Sequence, residues 1–189
     1  IPDRYVLPRG ERRGLMLNLP EMRLYEFPAA ASDNSVNQVV HTFPTSIGRM
    51  DWKTPLGEAR IVRKQRDPSW YPPESVRKEA IEAGNALPDV VPPGPDNPLG
   101  RHALRLNLPG YLIHGTNRPF GVGMRVTHGC VRMLPEDIED LFERVSVGTP
   151  VQILNQPVKV GWHDDVLYVE VHPPLEEDEE AQRNLMRYT

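Results

Sequence analysis

The stretch HALRLNLPGYLIHGTNRPFGVGMRVTHGCVRM, residues 102–133, decides how this chain folds. It opens with an alternating run, HALRLNL (102–108), meets the turn pair Pro109-Gly110, and resumes with YLIH (111–114). That order is a strand–turn–strand signal. Similar runs lie on either side. LMLNLPEMRLYEF (15–27) reads as two short strands around Leu19-Pro20-Glu21, after an extended lead-in over 1–14. NQVVHTF (37–43) and EARIVRK (58–64) are strand candidates separated by the turn-rich PTSIGRMDWKTPLG. PVQILN (150–155), VKVGW (158–162) and VLYVEV (166–171) complete the set, with Asp164-Asp165 as a turn. The chain therefore reads as mainly β, two sheets packed with a helix at one side.

Two helices are predicted. PEDIEDLFERV (135–145) starts on Pro135 and acidic residues, and Ile138, Leu141, Phe142 and Val145 recur at one-face spacing. ESVRKEAIEAG (74–84) is a second helix that Gly84 stops. It sits inside a proline-rich excursion over 67–101, and an excursion of that length in a domain reads as a lid or binding loop. No linker divides the chain. The expected organisation is one domain over 1–175, carrying 67–101 as an insertion, followed by an acidic tail over 176–189 as a solvated helix or frayed end.

Composition narrows the function. A net charge of −4 gives no basic surface for nucleic acid or anionic lipid. No apolar run approaches the length of a membrane span. The opening IPDRYVLPRGERR has neither an initiator Met nor an apolar targeting segment and reads as trimmed, so it is silent on compartment. A single cysteine cannot form an intrachain disulfide.

That cysteine, Cys130, has chemistry around it. A thiol becomes a nucleophile when a neighbour stabilises its thiolate, and histidine does this and later returns the proton. His114 ends a predicted strand and can reach Cys130 from an adjacent one, which favours it as the base. His128, two residues from Cys130, falls on the same side of an extended segment and reads as a site-shaping hydrogen-bond partner. Gly129 permits a tight turn that aims backbone N–H groups at an oxyanion. A carbonyl near Gly115 could accept the other imidazole N–H of His114 and fix its tautomer. Two other readings stand beside this one. Cys130 could be a small buried side chain, or His114, His128 and Cys130 could ligate zinc, although their spacing matches no ordinary zinc motif. Trp52, Trp70 and Tyr71 lie in loops, as packing anchors or as the wall of a groove. His41, His102, His163 and His172 receive no role.

The segment HGTNRPFGVGMRVTHGCVRM (114–133) closely resembles the signature of the L,D-transpeptidase catalytic domain family, in its periplasmic Gram-negative subgroup. That signature is a histidine, a gap, then Ser or Thr followed by His-Gly-Cys, an apolar residue and Arg or Asn. Here it reads His114, Thr127, His128, Gly129, Cys130, Val131 and Arg132, with Thr127 as the less usual choice. NLPEMRLYEFP, IGRMDWKTPLGEARIVRK, PDVVPPGPDNPLG and VGTPVQILNQPV extend the resemblance over nearly the whole chain. It implies a β-sandwich-like catalytic domain in the periplasm. The Cys130 thiolate would attack the L-centre carbonyl of diaminopimelate in a peptidoglycan tetrapeptide and release D-alanine. An amine acceptor, either a second stem peptide or a lipoprotein lysine, would then take the acyl group. Water as acceptor would make the enzyme a carboxypeptidase or cross-link hydrolase, and a silent peptidoglycan-binding module is the alternative outside enzymes. Gly129 and Cys130 N–H groups would hold the oxyanion, with Thr127 and Arg132 at the substrate. Arg132 is read equally as a structural partner of Glu136 or Asp137. The resemblance also implies acylation by carbapenem-type β-lactams, and no cofactor or metal.

Overall fold

The hairpin that opens the chain is the first test of these expectations. The computed structural model describes residues 5–28, 39–49 and 52–186. In chain order it holds β1 (Gly14–Asn18), β2 (Arg23–Phe27), β3 (His41–Gly48), β4 (Gly57–Arg66), α1 (Glu74–Glu82), β5 (His102–Leu106) and β6 (Leu112–His114). A short 3-10 turn, Pro119–Gly121, precedes β7 (Arg125–Thr127) and β8 (Val131–Met133). Then come α2 (Pro135–Arg144), β9 (Pro150–Leu154), β10 (Val158–His163), β11 (Val166–Val171) and α3 (Glu179–Met186). The fold is mainly β, as expected. The chain divides into two compact units, one of residues 1–43, 55–59 and 150–189, the other of 44–54 and 60–149.

In the first unit, β1 pairs antiparallel with β2 and parallel with β9. Leu15, Met16, Leu17, Leu24 and Tyr25 are all fully buried, so these strands are covered on both faces. Met16, Tyr25 and Phe27 pack with Leu7, Val40 and Leu154. The β10–β11 hairpin turns through Asp164 (φ 49°) and Asp165 (φ 60°), the paired left-handed residues of a type I′ turn. Lys159 enters this unit's interior, 2.7 Å from Glu21, 3.0 Å from Glu170 and 3.0 Å from the Tyr25 hydroxyl.

The second unit is a mixed sheet in the order β4-β5-β6-β8-β3-β7. Its β4–β5, β5–β6 and β3–β8 pairs are antiparallel, while β6–β8 and β3–β7 are parallel. Helix α2 buries Ile138, Leu141 and Phe142, with Val145 buried just past its end, the face set by the sequence spacing. The His102 ring lies 4.8 Å from that of Phe142. Helix α1 buries none of its residues, yet the excursion around it is tied down. Asn97, fully buried, donates to the carbonyls of Pro68 (2.8 Å), Val91 (3.2 Å) and Pro92 (3.1 Å), and its Oδ1 accepts the Leu99 N–H (2.9 Å).

Two sequence expectations move. The strand predicted over 37–43 begins outside the described residues, at Asn37 and Gln38. The observed β3 runs on through Pro44 and Thr45 to Gly48, residues read as a turn. Pairing of Thr45 with Met133 and Ser46 with Arg132 overrides the local turn propensity. Strands β7 and β8 were not predicted, because three residues carry no measurable periodicity. The first four residues of the extended lead-in also lie outside the described residues.

Candidate active site

Every residue the sequence singled out around Cys130 belongs to the second unit. His114 closes β6, and Cys130 immediately precedes β8. These strands run parallel, with Ile113 beside Val131 and His114 beside Arg132. Side chains alternate along a strand. Ile113 and Val131 face one way, so His114 and Arg132 face the other, and the same period of two brings Cys130 to their side. His114 thus lies one residue after, and Cys130 one residue before, the paired Ile113 and Val131.

The His114 ring is oriented by one contact. Its Nδ1 lies 2.6 Å from the Gly115 carbonyl oxygen. A carbonyl only accepts, so Nδ1 carries the hydrogen and the proton-accepting lone pair is on Nε2. His114 is buried, and burial pushes its imidazole down to about 4, opposed by the Gly115 and Leu99 carbonyls and assisted by the Arg132 charge. Burial likewise pushes the Cys130 thiol up, against the Leu112 N–H and the charges of Arg105 and Arg132. At neutral pH the resting pair is a neutral imidazole and a neutral thiol. The thiol is half-buried and points its S–H toward the Gly110 carbonyl at 3.5 Å.

The turn carrying Cys130 is held through its carbonyls. The Arg49 N–H donates to the Thr127 carbonyl (3.0 Å), the Thr54 hydroxyl to the Gly129 carbonyl (2.9 Å), and the Thr127 hydroxyl to the Cys130 carbonyl (2.5 Å). The N–H groups of Gly129 and Cys130 enter no backbone–backbone turn or loop hydrogen bond among the described residues. Gly129 has φ 95°, and a Cβ there would meet the Tyr111 ring at 2.9 Å, so this position requires glycine twice over.

His128 departs from the extended geometry assumed for it. The chain bends at Gly129, and the His128 Nε2 lies 2.7 Å from a Glu79 carboxylate oxygen on α1. Arg49 binds both oxygens of Glu79, at 2.9 and 3.0 Å, and stands 3.3 Å from the same Nε2. His128 and then Arg49 hold the Glu79 carboxyl below its ordinary range. Trp52 meets the His128 ring edge-on at 5.3 Å, so this aromatic packs against the site. Trp70 pairs with Val91 within the excursion, and Tyr71 is exposed. The Nε of Arg132 is buried without a hydrogen-bond partner among the described residues. Burial, followed by the Arg118 charge, lowers the Arg132 guanidinium pKa.

Sequence reasoning missed Arg49, Thr54 and Glu79. All three are distant in sequence from Cys130 and carry no local motif. The donor atoms that converge tightly among the described residues belong to Glu21, Glu170 and His172 of the first unit, where Lys159 already supplies the cation; His114, His128 and Cys130 do not converge in this way. A cavity of about 880 Å³ is lined wholly by first-unit residues, including Arg12, Arg23, Trp162 and Tyr168.

Comparison with known proteins adds a second line. A family described as the L,D-transpeptidase catalytic domain, YkuD, matches residues 12–153. The chain is 44% identical over 177 residues to the probable L,D-transpeptidase YbiS of Escherichia coli K12, covering 93% of this chain and 56% of that protein. It is 42% identical over 177 residues to the probable L,D-transpeptidase ErfK/SrfK of Salmonella typhimurium, covering 93% of this chain and 55% of the relative. The chain thus spans little more than half the length of these relatives. Among solved structures, an Enterococcus faecium L,D-transpeptidase mutant aligns with a TM-score of 0.56 at 17% identity, over 75% of this chain and 49% of the other. Mycobacterium tuberculosis L,D-transpeptidase 3, in complex with a faropenem-derived adduct, aligns at 0.51 and 19% identity over 75% and 59%. These two likenesses are of fold.

Proposed function

Because the chain belongs to the L,D-transpeptidase catalytic domain family, we propose that it is a cysteine acyltransferase acting on peptidoglycan stem peptides, with Cys130 as nucleophile and His114 as base. The observation that carries this reading is the Nδ1–H bond from His114 to the Gly115 carbonyl, which makes Nε2 the proton-accepting nitrogen, on a strand paired with the one that Cys130 immediately precedes.

The reaction runs in two halves. As the thiol proton passes to His114 Nε2, sulfur attacks the L-centre carbonyl of diaminopimelate in a tetrapeptide stem. The negative charge moves onto the carbonyl oxygen, where the N–H groups of Gly129 and Cys130 receive it. Collapse breaks the C–N bond, the D-alanine nitrogen takes the proton from His114, and a thioester remains on Cys130. An acceptor amine, from a second stem peptide or a lipoprotein lysine, then attacks the thioester. Its proton goes to His114 and on to the departing thiolate. Arg132, with its unpartnered buried Nε, suits a carboxylate of the stem. Thr127 acts on the turn, through the Cys130 carbonyl. His128 connects the site to α1 through Glu79 and gives the 67–101 excursion a point of attachment beside Cys130. In this reading residues 1–175 are the catalytic domain, 67–101 its lid and 176–189 an appended tail. The kinship with E. coli and Salmonella proteins suits a periplasmic site of action.

The test is a mass spectrum of the protein incubated with a diaminopimelate tetrapeptide, with and without amine acceptors. A thioester adduct on Cys130 and an amide product are expected. Cys130→Ala abolishes both while keeping the fold, since it removes only a small side-chain volume. Turnover by folded Cys130→Ala would overturn the mechanism. Hydrolysed tripeptide formed in preference to amide product would assign the acceptor as water.

A further inference from the structure

Thr54 lies 76 residues from Cys130 in sequence, and among the described residues its hydroxyl bonds neither the sulfur nor His114, yet that hydroxyl is used twice at the turn. It accepts the Gly48 N–H at 3.1 Å and donates to the Gly129 carbonyl at 2.9 Å. The Thr54 side chain is buried. A peptide unit is planar and trans, so its C=O and N–H point in opposite directions. The Gly129 carbonyl and the Cys130 N–H belong to one such unit. Pulling the carbonyl toward Thr54 turns the Cys130 N–H away from Thr54.

That peptide has little else to hold it. Gly129 has no Cβ, so rotation about its ψ is sterically inexpensive, and a residue free to adopt φ 95° is also free to leave it. The Thr54 hydroxyl is itself pinned by an N–H from β3, so it cannot rotate away without leaving the Gly48 donor unpaired. The contact is also too close to be casual. A Cβ on Gly48 would lie 1.9 Å from the Trp52 carbonyl oxygen and 2.9 Å from the Gly129 Cα, so the end of β3 and the Cys130 turn are in backbone contact because both positions are glycine. The flanking carbonyls of Thr127 and Cys130 are held separately.

We infer that Thr54 is the positioning residue of the oxyanion site: its hydroxyl fixes the Gly129–Cys130 peptide so that the Cys130 N–H faces the developing negative charge. This inference rests on the reading of Cys130 as acyl-forming nucleophile. Losing one oxyanion donor lowers turnover by about 10²–10³-fold, and losing its anchor costs part of that, about 10- to 100-fold.

The experiment separates acylation, which needs the oxyanion site, from alkylation, which does not. Wild type, Thr54→Val, Thr54→Ser and Cys130→Ala are each treated with imipenem and, separately, with iodoacetamide, and adduct formation is followed by mass spectrometry. Thr54→Val is expected to lose about 10- to 100-fold in acylation rate while alkylating at the wild-type rate, and Thr54→Ser to keep both rates near wild type. If Thr54→Val does not fold, Thr54→Ala removes the same hydroxyl and is measured in the same way. Wild-type acylation by the hydroxyl-free variant overturns the inference, as does an equal loss of acylation and alkylation, which would mark a general distortion of the turn. Imipenem labelling of Cys130→Ala would instead overturn the nucleophile assignment, and so the two failures are distinguishable.

Discussion

Replacing His114 with Gln tests the state of the base, because Gln keeps a donor for the Gly115 carbonyl but does not titrate. In the folded protein burial holds the imidazole at about 4, whereas in the unfolded chain it returns to its ordinary 6.5. Between those two pH values the unfolded chain binds more protons, so stability falls as pH falls. The contribution is complete above pH 6.5 and gone below about pH 4, and it totals roughly 3 kcal/mol at about 1.36 kcal/mol per factor of ten in proton affinity. Integrated to intermediate pH, roughly 1 kcal/mol is lost by pH 5.5 and roughly 2–3 kcal/mol by pH 4.5. Carboxylates titrate in the same range, so the measurement is a difference. Urea unfolding of wild type and His114→Gln at pH 7.5, 5.5 and 4.5 should show the wild type losing that much more than the variant. The acid limb of wild-type acylation by imipenem should have its midpoint near pH 4, well below that of an exposed histidine. Equal acid losses in the two proteins, or an acid limb centred between pH 6 and 7, would refute a buried neutral His114.

Lys159→Met should destabilise the protein by roughly 3–5 kcal/mol, because it removes the nearest cation from the buried Glu21 carboxylate and leaves only the longer 3.6 Å contact with Arg23; thermal melting measures this, and adding Glu21→Gln should recover part of the loss. A Lys159→Met protein as stable as wild type would mean that the network carries no net charge to compensate. Glu79→Gln should weaken the attachment of α1 to His128 and Arg49, seen as faster amide exchange along α1 and a donor KM raised a few-fold with kcat little changed. Unchanged exchange and unchanged KM would remove the lid role assigned to residues 67–101.

What the sequence determined by itself was whatever is written locally. The α2 face is legible because Ile138, Leu141 and Phe142 repeat at helical spacing. The Asp164-Asp165 and Pro109-Gly110 turns are legible because those residues suit tight turns, and Asp164, Asp165 and Gly110 all adopt positive φ. His114, Gly115, Gly129 and Cys130 are legible because a thiol, an imidazole and flanking glycines are a chemical combination independent of fold. Tertiary structure decided the rest. That Pro44 and Thr45 lie in a strand depends on β8, which supplies the pairing partners of β3. That the His114 imidazole is neutral depends on burial by residues distant in sequence, since desolvation is a property of the surrounding volume and not of the neighbouring residues. Thr54 and Glu79 reach the Cys130 turn only because the fold brings β3, α1 and that turn together, and a hydrogen bond between residues 75 or 49 positions apart leaves no periodicity in the chain.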